Sequence, residues 1–581
     1  MSRPRSGSNT KILAPLQADR LDGRGWDYSC DVLVIGWGAA GACAALEARS
    51  QGAEVIVADR FTGGGASAKS GGVVYAGGGT RQQQDAGFSD TPQAMFDYLK
   101  HETRGVISDD TLRKFCDDSA DNLRWLESHG ARSAHSLPPG GKTSYPADGY
   151  FLYYSGNELV PSHSGEHPAA PRGHRTVGKG QCGAVLYGHL QAACLRAGVQ
   201  PLLQSAARRL VVDDNGRVLG AELWRLPEGT REARVHARLA ARAERWQNFA
   251  PGYCDRLRQK ISRLERDHGQ PVLVRARRGV ILSTGGFIFN RDLIREHAPK
   301  FRRNFKVGAT GCDGSGLRLG QSVGGKSERL SRVSAWRFIN PPFCWPKGIV
   351  VNAQGQRFCN EEVYGATLGQ PLCEEQGGQA WLVLDARLRK QAIRQALFGG
   401  YWWFQSLPAL ALMLLRVRKG DNPDRLAQVC GMQSGELSSS LRGYNAAARG
   451  EVADPFGKSE GSRQVLDKGP FYACNISVDN PVFPLGALTL GGLKVDENTG
   501  AVLDDNSQPI AGLYSAGRTA IGVASHLYIS GLSLADCVFS GRRAGRASTA
   551  GSDLERDEPV AGQRASTGTS IQQGLQHEHT S

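Results

Sequence analysis

The sequence predicts an α/β protein in which a Rossmann-like dinucleotide-binding domain is interrupted by an inserted α+β cap domain. Three observations predict this fold. They are a glycine-rich turn after an apolar strand, two later strands that also end in glycine, and a long stretch of sequence between those two strands that lacks this pattern. The chain has 581 residues, 40% of them apolar, so it can bury two sizeable cores.

The first element is a strand, a turn, a helix and a second strand between Asp31 and Asp59. The apolar run 32–35 predicts a buried parallel strand, and the N-terminus of the following helix would hold a pyrophosphate. Asp59 ends the second strand, where a carboxylate can accept the ribose hydroxyls. The turn and the start of the helix comprise Gly36, Gly38, Ala39, Ala40 and Gly41. A merely structural glycine turn is less favoured because strands flank the motif on both sides.

The residues after Asp59 favour FAD as the dinucleotide. The run 63–72 consists almost entirely of small residues, in place of another plain strand–helix repeat. Small residues let backbone amides approach a pyrophosphate and the edge of a flavin ring. Two later strands, 280–286 and 512–518, also end in glycine and could converge on the same cofactor. A flexible glycine linker is the alternative for 63–72.

The last of these strands lies far from its partners in sequence, so a second domain is predicted between them. The predicted segments are a flexible N-terminal arm at 1–28, the first part of the FAD-binding domain at 29–289 with a basic helical insertion at about 228–272, the cap domain at 290–470, the last part of the FAD-binding domain at 471–549, and a disordered tail at 550–581. His577 and His579 fall in the polar tail, and we predict a solvated terminus there and no metal site.

Composition favours the cytoplasm. The 13 cysteines form no C-x-x-C pair, the first 28 residues lack the apolar centre of a secretory signal, and no apolar run is long enough to span a membrane. A peripheral contact with the inner face of the membrane is the alternative, because aromatic residues 401–404 and apolar residues 407–415 precede a cationic group at 416–419. We favour a core helix of the cap domain for this stretch.

The net charge of +14 raises the question of nucleic-acid binding. The charge is concentrated in the basic insertion, where arginines recur at helical spacing. A helical hairpin with a solvated basic face is the favoured interpretation, an anionic membrane surface comes next, and RNA comes last because stacking aromatics are sparse. No nucleic-acid partner is expected.

Four segments carry a resemblance to a known family: Ser70–Thr80, Ala170–His174, Gly355–Tyr364 and Tyr528–Gly531. Over most of residues 31–547 the chain resembles the flavoprotein family of fumarate reductases and 3-ketosteroid dehydrogenases, and the steroid branch fits better. That resemblance implies FAD-dependent introduction of the C4–C5 double bond into 3-oxo-5α-steroids, with proton abstraction at C4 and hydride transfer from C5 to flavin N5. The alternatives are Δ1-dehydrogenation and reduction of an unsaturated acid or ketone. A non-catalytic flavin scaffold and an RNA-modifying flavoprotein are less favoured than either.

The resemblance also implies roles for individual residues. Tyr528, helped by Ser530, would abstract the proton from C4. Tyr364, in the cap domain, would take part in the same proton transfer. The backbone near Gly491 or Gly492 would bind the ketone oxygen. The residues predicted to contact FAD are Gly36, Gly38, Ala39, Ala40, Gly41, Asp59, Arg60, Gly65, Ala66, Ser67, Ser70, Gly71, Gly72, Ala207, Gly285, Asp313, Gly517, Arg518, Ser533 and Leu534. The alternatives for the tyrosines and the serine are a half-buried core position and a turn cap.

Departures from the family pattern narrow the expected substrate and the expected mode of FAD attachment. Leu488–Leu490 stands where fumarate reductases carry a dicarboxylate-binding histidine, so fumarate is disfavoured as substrate. The segment 67–70 offers no histidine for covalent flavin attachment, so FAD is expected to be non-covalent. Cys312 and His526 replace smaller residues, which could reshape the substrate pocket. A quinone is a candidate for the electron acceptor, which the sequence does not identify.

Overall fold

A computed structural model describes residues 10–21 and 25–550. The strands, in chain order, are β1 Leu16–Gln17, β2 Tyr28–Ile35, β3 Val55–Ala58, β4 Val73–Tyr75, β5 Leu152–Tyr153, β6 Gly173–Arg175, β7 Gln200–Leu202, β8 Ser205–Val212, β9 Val218–Arg225, β10 Gln270–Leu282, β11 Phe305–Lys306, β12 Ser327–Glu328, β13 Val333–Trp336, β14 Ile349–Asn352, β15 Ala380–Leu384, β16 Val417–Gly420, β17 Phe471–Asn475, β18 Gly486–Thr489, β19 Gly492–Leu493, β20 Ala501–Leu503 and β21 Pro509–Ser515.

The α-helices are α1 Ala39–Ser50, α2 Gly65–Ala68, α3 Arg81–Asp85, α4 Pro92–Thr103, α5 Asp109–Asp117, α6 Ser119–Ser128, α7 Pro161–Ser164, α8 Gly183–Arg196, α9 Arg231–Trp246, α10 Pro251–His268, α11 Arg291–His297, α12 Ser315–Ser322, α13 Gly365–Glu374, α14 Ala386–Phe398, α15 Trp403–Leu414, α16 Pro423–Cys430, α17 Glu436–Ala448 and α18 Leu532–Thr549.

The large sheet brings the three glycine-ended strands together, as the sequence predicts. Its order is β1-β8-β9-β10-β2-β3-β7, and β21 adds to β10 in parallel. Leu282 at the end of β10 is in register with Ile35 of β2 and with Ser515 of β21. Their carboxyl ends therefore share one edge, which is where parallel sheets of this type bind ligands.

Helices α1 and α18 pack closely on this sheet because small residues line their contact. A Cβ on Gly541 would lie 2.5 Å from the carbonyl oxygen of Ala40, and one on Gly545 would lie 2.5 Å from that of Ala44. Gly541 and Gly545 lie in the second half of α18, so the close contact fixes that half of the helix beside the first turns of α1.

The described part of the expected N-terminal arm is ordered, which corrects the expectation of a flexible segment at 1–28. Strand β1 pairs in parallel with β8, and Leu16 packs against buried Trp26 and Val211. The backbone N–H of Thr10 donates to Asp313 Oδ2 at 2.6 Å. The expected tail at 550–581 lies outside the described residues except for Ala550.

The cap domain is built on a four-stranded antiparallel sheet in the order β14-β15-β17-β16, with α14 to α17 packed on its strands, while α13 packs on β13. Strand β17 pairs with β15 and β16, so the cap extends past the boundary that we expected at 470. At the other end, α12 packs on β8 and stays with the FAD-binding domain, although it follows residue 290.

Helices α9 and α10 form a hairpin within the predicted basic insertion, between β9 and β10. Among the residues that the structure describes, no helix combines the length and the apolar character needed to cross a membrane. Helix α15 buries Ala409, Leu412 and Met413 in the cap core, as favoured above, while its other face is exposed.

Candidate active site

An elongated cavity of about 490 Å³ lies at the carboxyl ends of β2, β3, β10 and β21. It runs from the strand end at Asp59, past the turn at Gly36, to the strand end at Gly517. The predicted cofactor residues that line it are Gly36, Gly38, Ala39, Ala40, Asp59, Arg60, Gly65, Ala66, Ser67, Ala207, Gly285, Gly517 and Arg518. The sequence motifs, although far apart in the chain, thus meet around one space.

Seven predicted cofactor residues do not line this cavity: Gly41, Ser70, Gly71, Gly72, Asp313, Ser533 and Leu534. Gly41 serves helix packing, because its Cβ would lie 2.0 Å from the carbonyl oxygen of Gly36. Asp313 accepts from Arg60 and caps α12 through the backbone N–H of Ser315. Gly71 packs against the Tyr145 ring, since a Cβ would lie 2.5 Å from it. The contact of all seven with FAD stays a prediction.

The residues around the cavity fit a dinucleotide. Gly36 has a φ of +103°, and a Cβ there would lie 2.6 Å from the carbonyl oxygen of Ser283, so only glycine fits the turn. The Asp59 carboxylate accepts from the backbone N–H groups of Trp37 and Phe61. Burial raises the pKa of Asp59, and these hydrogen bonds oppose the rise. Outside this cavity, Ser533 Oγ is buried with no partner among the described residues.

The three predicted catalytic residues meet at the boundary between the two domains. The rings of Tyr364, from the cap, and Tyr528, from the FAD-binding domain, stack with centroids 6.3 Å apart and planes at 25°. Tyr364 and Ser530 are buried, with 5% and 7% of their surface exposed. Residues separated by more than 160 positions therefore lie in one cluster, and their catalytic roles stay a prediction.

A third tyrosine joins this cluster, and no sequence motif predicted it. The Tyr153 hydroxyl lies 2.9 Å from Ser530 Oγ, and either oxygen can donate. Ser155, two residues along, accepts at its carbonyl from the Ser530 backbone N–H at 3.3 Å and donates from Oγ to the Ser530 carbonyl at 3.1 Å. These bonds fix the segment that carries Ser530 against the loop after β5.

Burial governs the acidity of the three phenols. Burial raises the pKa of Tyr528, while the positive charge of Arg518 and the Ser530 hydroxyl oppose the rise. Burial also raises the pKa of Tyr153 and Tyr364 well above the ordinary tyrosine range. Among the three tyrosines, only Tyr528 has a nearby cation in the described part of the chain that lowers its pKa. Tyr528 is therefore the best suited of the three to act as the base.

Apolar aromatic rings surround the tyrosine pair. Trp336, at the end of β13, lies 4.4 Å from the Tyr528 ring centroid to centroid, and Phe338 lies 5.1 Å from the Tyr364 ring. Both side chains are half-buried. Aromatic walls of this kind suit a flat, largely apolar substrate. Neither residue was predicted, because Trp and Phe in a strand more often mark a core.

Two side chains of the FAD-binding domain hold the cap segment that ends in Tyr364. The Tyr364 backbone N–H donates to Asn157 Oδ1 at 2.6 Å, and Lys142 Nζ donates to the Glu362 carbonyl at 2.6 Å. Asn157 is fully buried and donates in turn to Glu102 and Thr367. The cap tyrosine that is predicted to be catalytic is therefore positioned by the other domain.

Glu102 also belongs to a group of three side chains, with His101 and His163, whose ligand atoms lie within 4.8 Å of one another. His163 Nδ1 lies 2.7 Å from Glu102 Oε1. This hydrogen bond and the bond from Asn157 occupy Glu102 Oε1 and give the group a structural role beside Tyr364.

Gly491 and Gly492 lie in tightly packed backbone. A Cβ on Gly491 would lie 2.2 Å from the carbonyl oxygen of Arg329, and one on Gly492 would lie 2.6 Å from that of Thr519. Their role toward a ketone oxygen stays a prediction. The neighbouring Thr489 accepts from the Phe287 backbone N–H, so this segment is bonded to the strand end at Gly286.

His526 lies beside Arg332, with ring nitrogens 3.2 and 3.3 Å from the guanidinium. Burial and the Arg332 charge lower the pKa of His526 to about 4, so the ring is neutral at physiological pH.

The fold and the cavity together define a flavoprotein oxidoreductase with an inserted cap domain. Residues 31–531 match the family model described as the FAD binding domain. The chain belongs to this family, FAD is its cofactor, and it is an FAD-dependent oxidoreductase of the group that includes steroid dehydrogenases and fumarate reductases.

Relatives within the family carry steroid activities. The chain is 48% identical to the 3-oxo-5-alpha-steroid 4-dehydrogenase of Comamonas testosteroni, over 85% of this chain and 93% of that protein. It is 26% identical to the 3-oxosteroid 1-dehydrogenase of Mycolicibacterium smegmatis, over 86% and 93%. The 3-ketosteroid-delta4-(5alpha)-dehydrogenase of Rhodococcus jostii RHA1, solved with 4-androstene-3,17-dione, superposes with a TM-score of 0.77 at 27% identity, over 92% of this chain and 100% of that one. The predicted family and fold are confirmed.

Proposed function

We propose that the protein oxidises 3-oxo-5α-steroids to 4-en-3-ones with FAD as the hydride acceptor. One observation carries the proposal: Tyr364, Tyr528 and Ser530 form a cluster within aromatic walls, in a chain 48% identical to a 3-oxo-5-alpha-steroid 4-dehydrogenase. Desaturation beside a ketone requires a base for the proton at C4 and an acceptor for the hydride at C5. The tyrosine cluster supplies the first and bound FAD supplies the second.

The side chains divide the proton chemistry among them. Tyr528 takes the C4 proton after giving up its own, and Ser530, whose hydroxyl interacts with both Tyr528 and Tyr364, passes that proton away from the substrate. Arg518 favours the phenolate form of Tyr528 through its positive charge. A backbone N–H near Gly491 stabilises the negative charge that develops on the ketone oxygen.

The decisive experiment mixes the flavin-loaded protein anaerobically with 5α-androstane-3,17-dione and follows the flavin absorbance. The proposal expects bleaching of the oxidised flavin and formation of the 4-en-3-one, identified by mass spectrometry and NMR. A 1-en-3-one product would assign the 1,2-specificity of the relatives to this chain. If neither the 5α nor the 5β substrate bleaches the flavin, the steroid assignment fails.

We also propose that the cap domain docks on an anionic lipid surface through an exposed apolar patch. The patch lies on α14, on α15 and on Leu415, which follows α15. The patch consists of Leu397, Phe398, Trp403, Phe404, Leu407, Leu414 and Leu415. Phe398 is 80% and Leu415 82% exposed, which is unusual for side chains of this size. Exposed cations border the patch at Lys390, Arg394, Arg416, Arg418 and Lys419. Apolar side chains ringed by positive charge suit the headgroup region of an anionic bilayer.

The position of the patch supports this docking. Trp402 at the start of α15 donates from Nε1 to the Pro146 carbonyl, and Gln405 donates to Ser144. The next residue, Tyr145, donates to the Gly71 carbonyl in the flavin segment. The patch thus joins the loop beside the active site, and a steroid that partitions into lipid would reach the site over a short path.

Vesicle sedimentation tests the docking. Vesicles with phosphatidylglycerol should bind the protein more strongly than vesicles of phosphatidylcholine alone, and the variant Phe398→Ser/Leu407→Ser/Leu415→Ser should lose this binding. Phe249→Ser removes a similarly exposed ring, 68% exposed, from the hairpin and serves as the matched control. Equal sedimentation of the triple variant and the wild type would rule the docking out.

A lipid-soluble quinone follows as the proposed electron acceptor, because a bilayer offers quinones beside the same patch. Reduced flavin would transfer two electrons and two protons to give the quinol and oxidised FAD. Stopped-flow reoxidation of the substrate-reduced enzyme should be faster with a soluble quinone analogue than with oxygen, and slower reoxidation by the quinone would exclude it.

A further inference from the structure

Helix α9 of the basic insertion has one face turned to the cofactor cavity. His236, Ala237, Ala240, Ala241 and Glu244 all line the cavity, at spacings that place them on one side of a helix. The opposite side is exposed and carries the charge of the insertion: Arg234, Arg238, Arg242 and Arg245. The predicted solvated basic face is therefore only one side of a helix whose other side belongs to a binding site.

The first half of α9 is attached to the strands that begin the cavity. The side-chain amide of Gln204 donates to the carbonyl of Ala233 at 2.8 Å. The Phe61 ring stacks on the His236 ring with centroids 5.5 Å apart and planes at 20°. Phe61 follows Asp59 by two residues, so these contacts place α9 beside the predicted ribose carboxylate.

The second half of α9 is attached to the loops further along the cavity. Glu244 accepts from Lys69 Nζ in the glycine-rich segment, and its Oε1 also accepts from the Thr310 backbone N–H at 2.5 Å. Lys69 also donates to the Glu244 carbonyl at 2.8 Å. Helix α9 thus crosses the cavity from the end of β3 to the loop before α12.

Helix α10 anchors the hairpin through a buried ion pair. Glu265 accepts from Arg60 Nε at 2.7 Å and from Arg208 at 3.3 Å, and His236 Nε2 lies 3.1 Å from the same carboxylate. Ser262 accepts a further hydrogen bond from Arg60 at 3.0 Å. Arg60 is the neighbour of Asp59, so the anchor joins the hairpin directly to the nucleotide strand.

We propose that helix α9 forms the outer wall of the FAD site and binds the adenosine half of the cofactor. The opposite wall carries Asp59, Arg60 and Ala207, the positions predicted for the ribose and the adenine. Ala237 and Ala240 are small residues on the cavity face of α9, and they leave room for a flat purine between the two walls. The insertion is thereby a cofactor-binding element that increases the affinity for FAD.

Substitutions on the cavity face of α9 test the proposal by cofactor affinity, without an activity assay. Ala237→Leu and the more exposed Ala241→Leu each place a larger side chain in the adenosine space. Arg238→Leu introduces the same side chain on the solvent face of the same helix and serves as the control. Apo-protein of each variant is titrated with FAD by flavin fluorescence, ADP is used as a competitor, and thermal unfolding of the apo-protein reports folding.

We expect the dissociation constants of FAD and of ADP to rise together by roughly tenfold in the two cavity-face variants, with no change in Arg238→Leu. Ala241→Leu keeps the test valid if Ala237→Leu fails to fold. Unchanged FAD affinity in both variants would overturn the proposal. An equal loss of FAD affinity in the Arg238→Leu control would also overturn it. The same holds if ADP fails to compete with FAD in the wild type, because the protein would then not bind the adenosine half.

Discussion

The Tyr153 hydroxyl lies 2.9 Å from Ser530 Oγ, on a strand of the FAD-binding domain that no motif marks. Ser530 therefore has a second phenol within reach besides Tyr528. A proton that leaves the substrate through Tyr528 and Ser530 can continue to Tyr153. This contact extends the proposed relay by one group and directs it into the FAD-binding domain.

Removal of that hydroxyl should slow proton transfer without affecting cofactor binding. Tyr153→Phe is expected to lower kcat by roughly tenfold, since the relay through Tyr364 remains. The solvent deuterium isotope effect on flavin reduction should rise at the same time. Stopped-flow flavin reduction in H2O and D2O measures both quantities. An unchanged rate and isotope effect would confine Tyr153 to a packing role.

Loss of the proposed base should be far more severe. Tyr528→Phe is expected to lower the rate of flavin reduction by about 10²–10⁴-fold, the usual contribution of a general base. The flavin absorbance spectrum should be preserved, because the Tyr528 ring stays in place between Trp336 and Tyr364. Tyr364→Phe provides the comparison, with a smaller loss expected. A Tyr528→Phe enzyme that reduces its flavin at the wild-type rate would exclude Tyr528 as the base.

The raised pKa of Tyr528 predicts how the rate depends on pH. Burial raises the pKa above its ordinary value, so the phenol is protonated at neutral pH and the deprotonated fraction grows as pH increases. The ratio kcat/KM should therefore climb with pH and reach no plateau below about 10. Initial rates across a buffered pH series check this expectation. A plateau near neutrality would assign the ionisation to another group.

Asn157 is a positioning residue, and its loss should separate catalysis from cofactor binding. Asn157→Ala removes the acceptor for the Tyr364 backbone N–H and leaves a buried donor unpaired, at a cost of about 1–3 kcal/mol. We expect kcat to fall while the dissociation constant of FAD is unchanged. Asn157→Asp keeps the acceptor and should restore part of kcat. Equal activity of the Ala and Asp variants would argue against positioning.

The buried ion pair of the hairpin predicts a pH-dependent stability. Burial would raise the pKa of Glu265, but the Arg60 charge and His236 lower it to about 2. A depressed folded-state pKa contributes stability that is present above the unfolded value of about 4.3 and is lost as pH falls towards 2. Glu265→Gln should cost about 3–5 kcal/mol at neutral pH, because it removes one of the two carboxylates that pair with Arg60 and the carboxylate that pairs with Arg208. Denaturant unfolding at pH 7 and at acidic pH measures the free energy of unfolding of the wild type and of the variant. The difference between these two free energies should become smaller as the pH falls.

Local patterns in the sequence were sufficient to predict the cofactor domain. The glycine turn at Gly36 and the strand ends at Gly285 and Gly517 each have a backbone requirement that only small residues meet, so they stand out without an alignment. The register of β2, β10 and β21 then follows from parallel pairing. The family resemblance added Tyr364, Tyr528 and Ser530, which no local pattern distinguishes from core residues.

The remaining features depend on contacts between distant segments, which a single sequence does not encode locally. Tyr153 gains its proposed role because β5 meets the segment that carries Ser530, and Asn157 gains its proposed role because the loop after β5 meets the cap domain. The expected cap domain ended before β17, because a strand has the same local sequence pattern whichever sheet it joins. Helix α9 was predicted as a basic amphipathic helix, yet its alanine face resembles any packing face until the cavity beneath it is known.

The ordered segment before β2 has a practical consequence for anyone producing shortened versions of the chain. Thr10 lines the cofactor cavity and donates its backbone N–H to Asp313, whose carboxylate also accepts from Arg60. A chain that starts at Tyr28 would lack this donor and the β1 pairing with β8. Purification tags therefore belong ahead of Thr10, and a colourless preparation of protein trimmed to Tyr28 would reflect the loss of this segment.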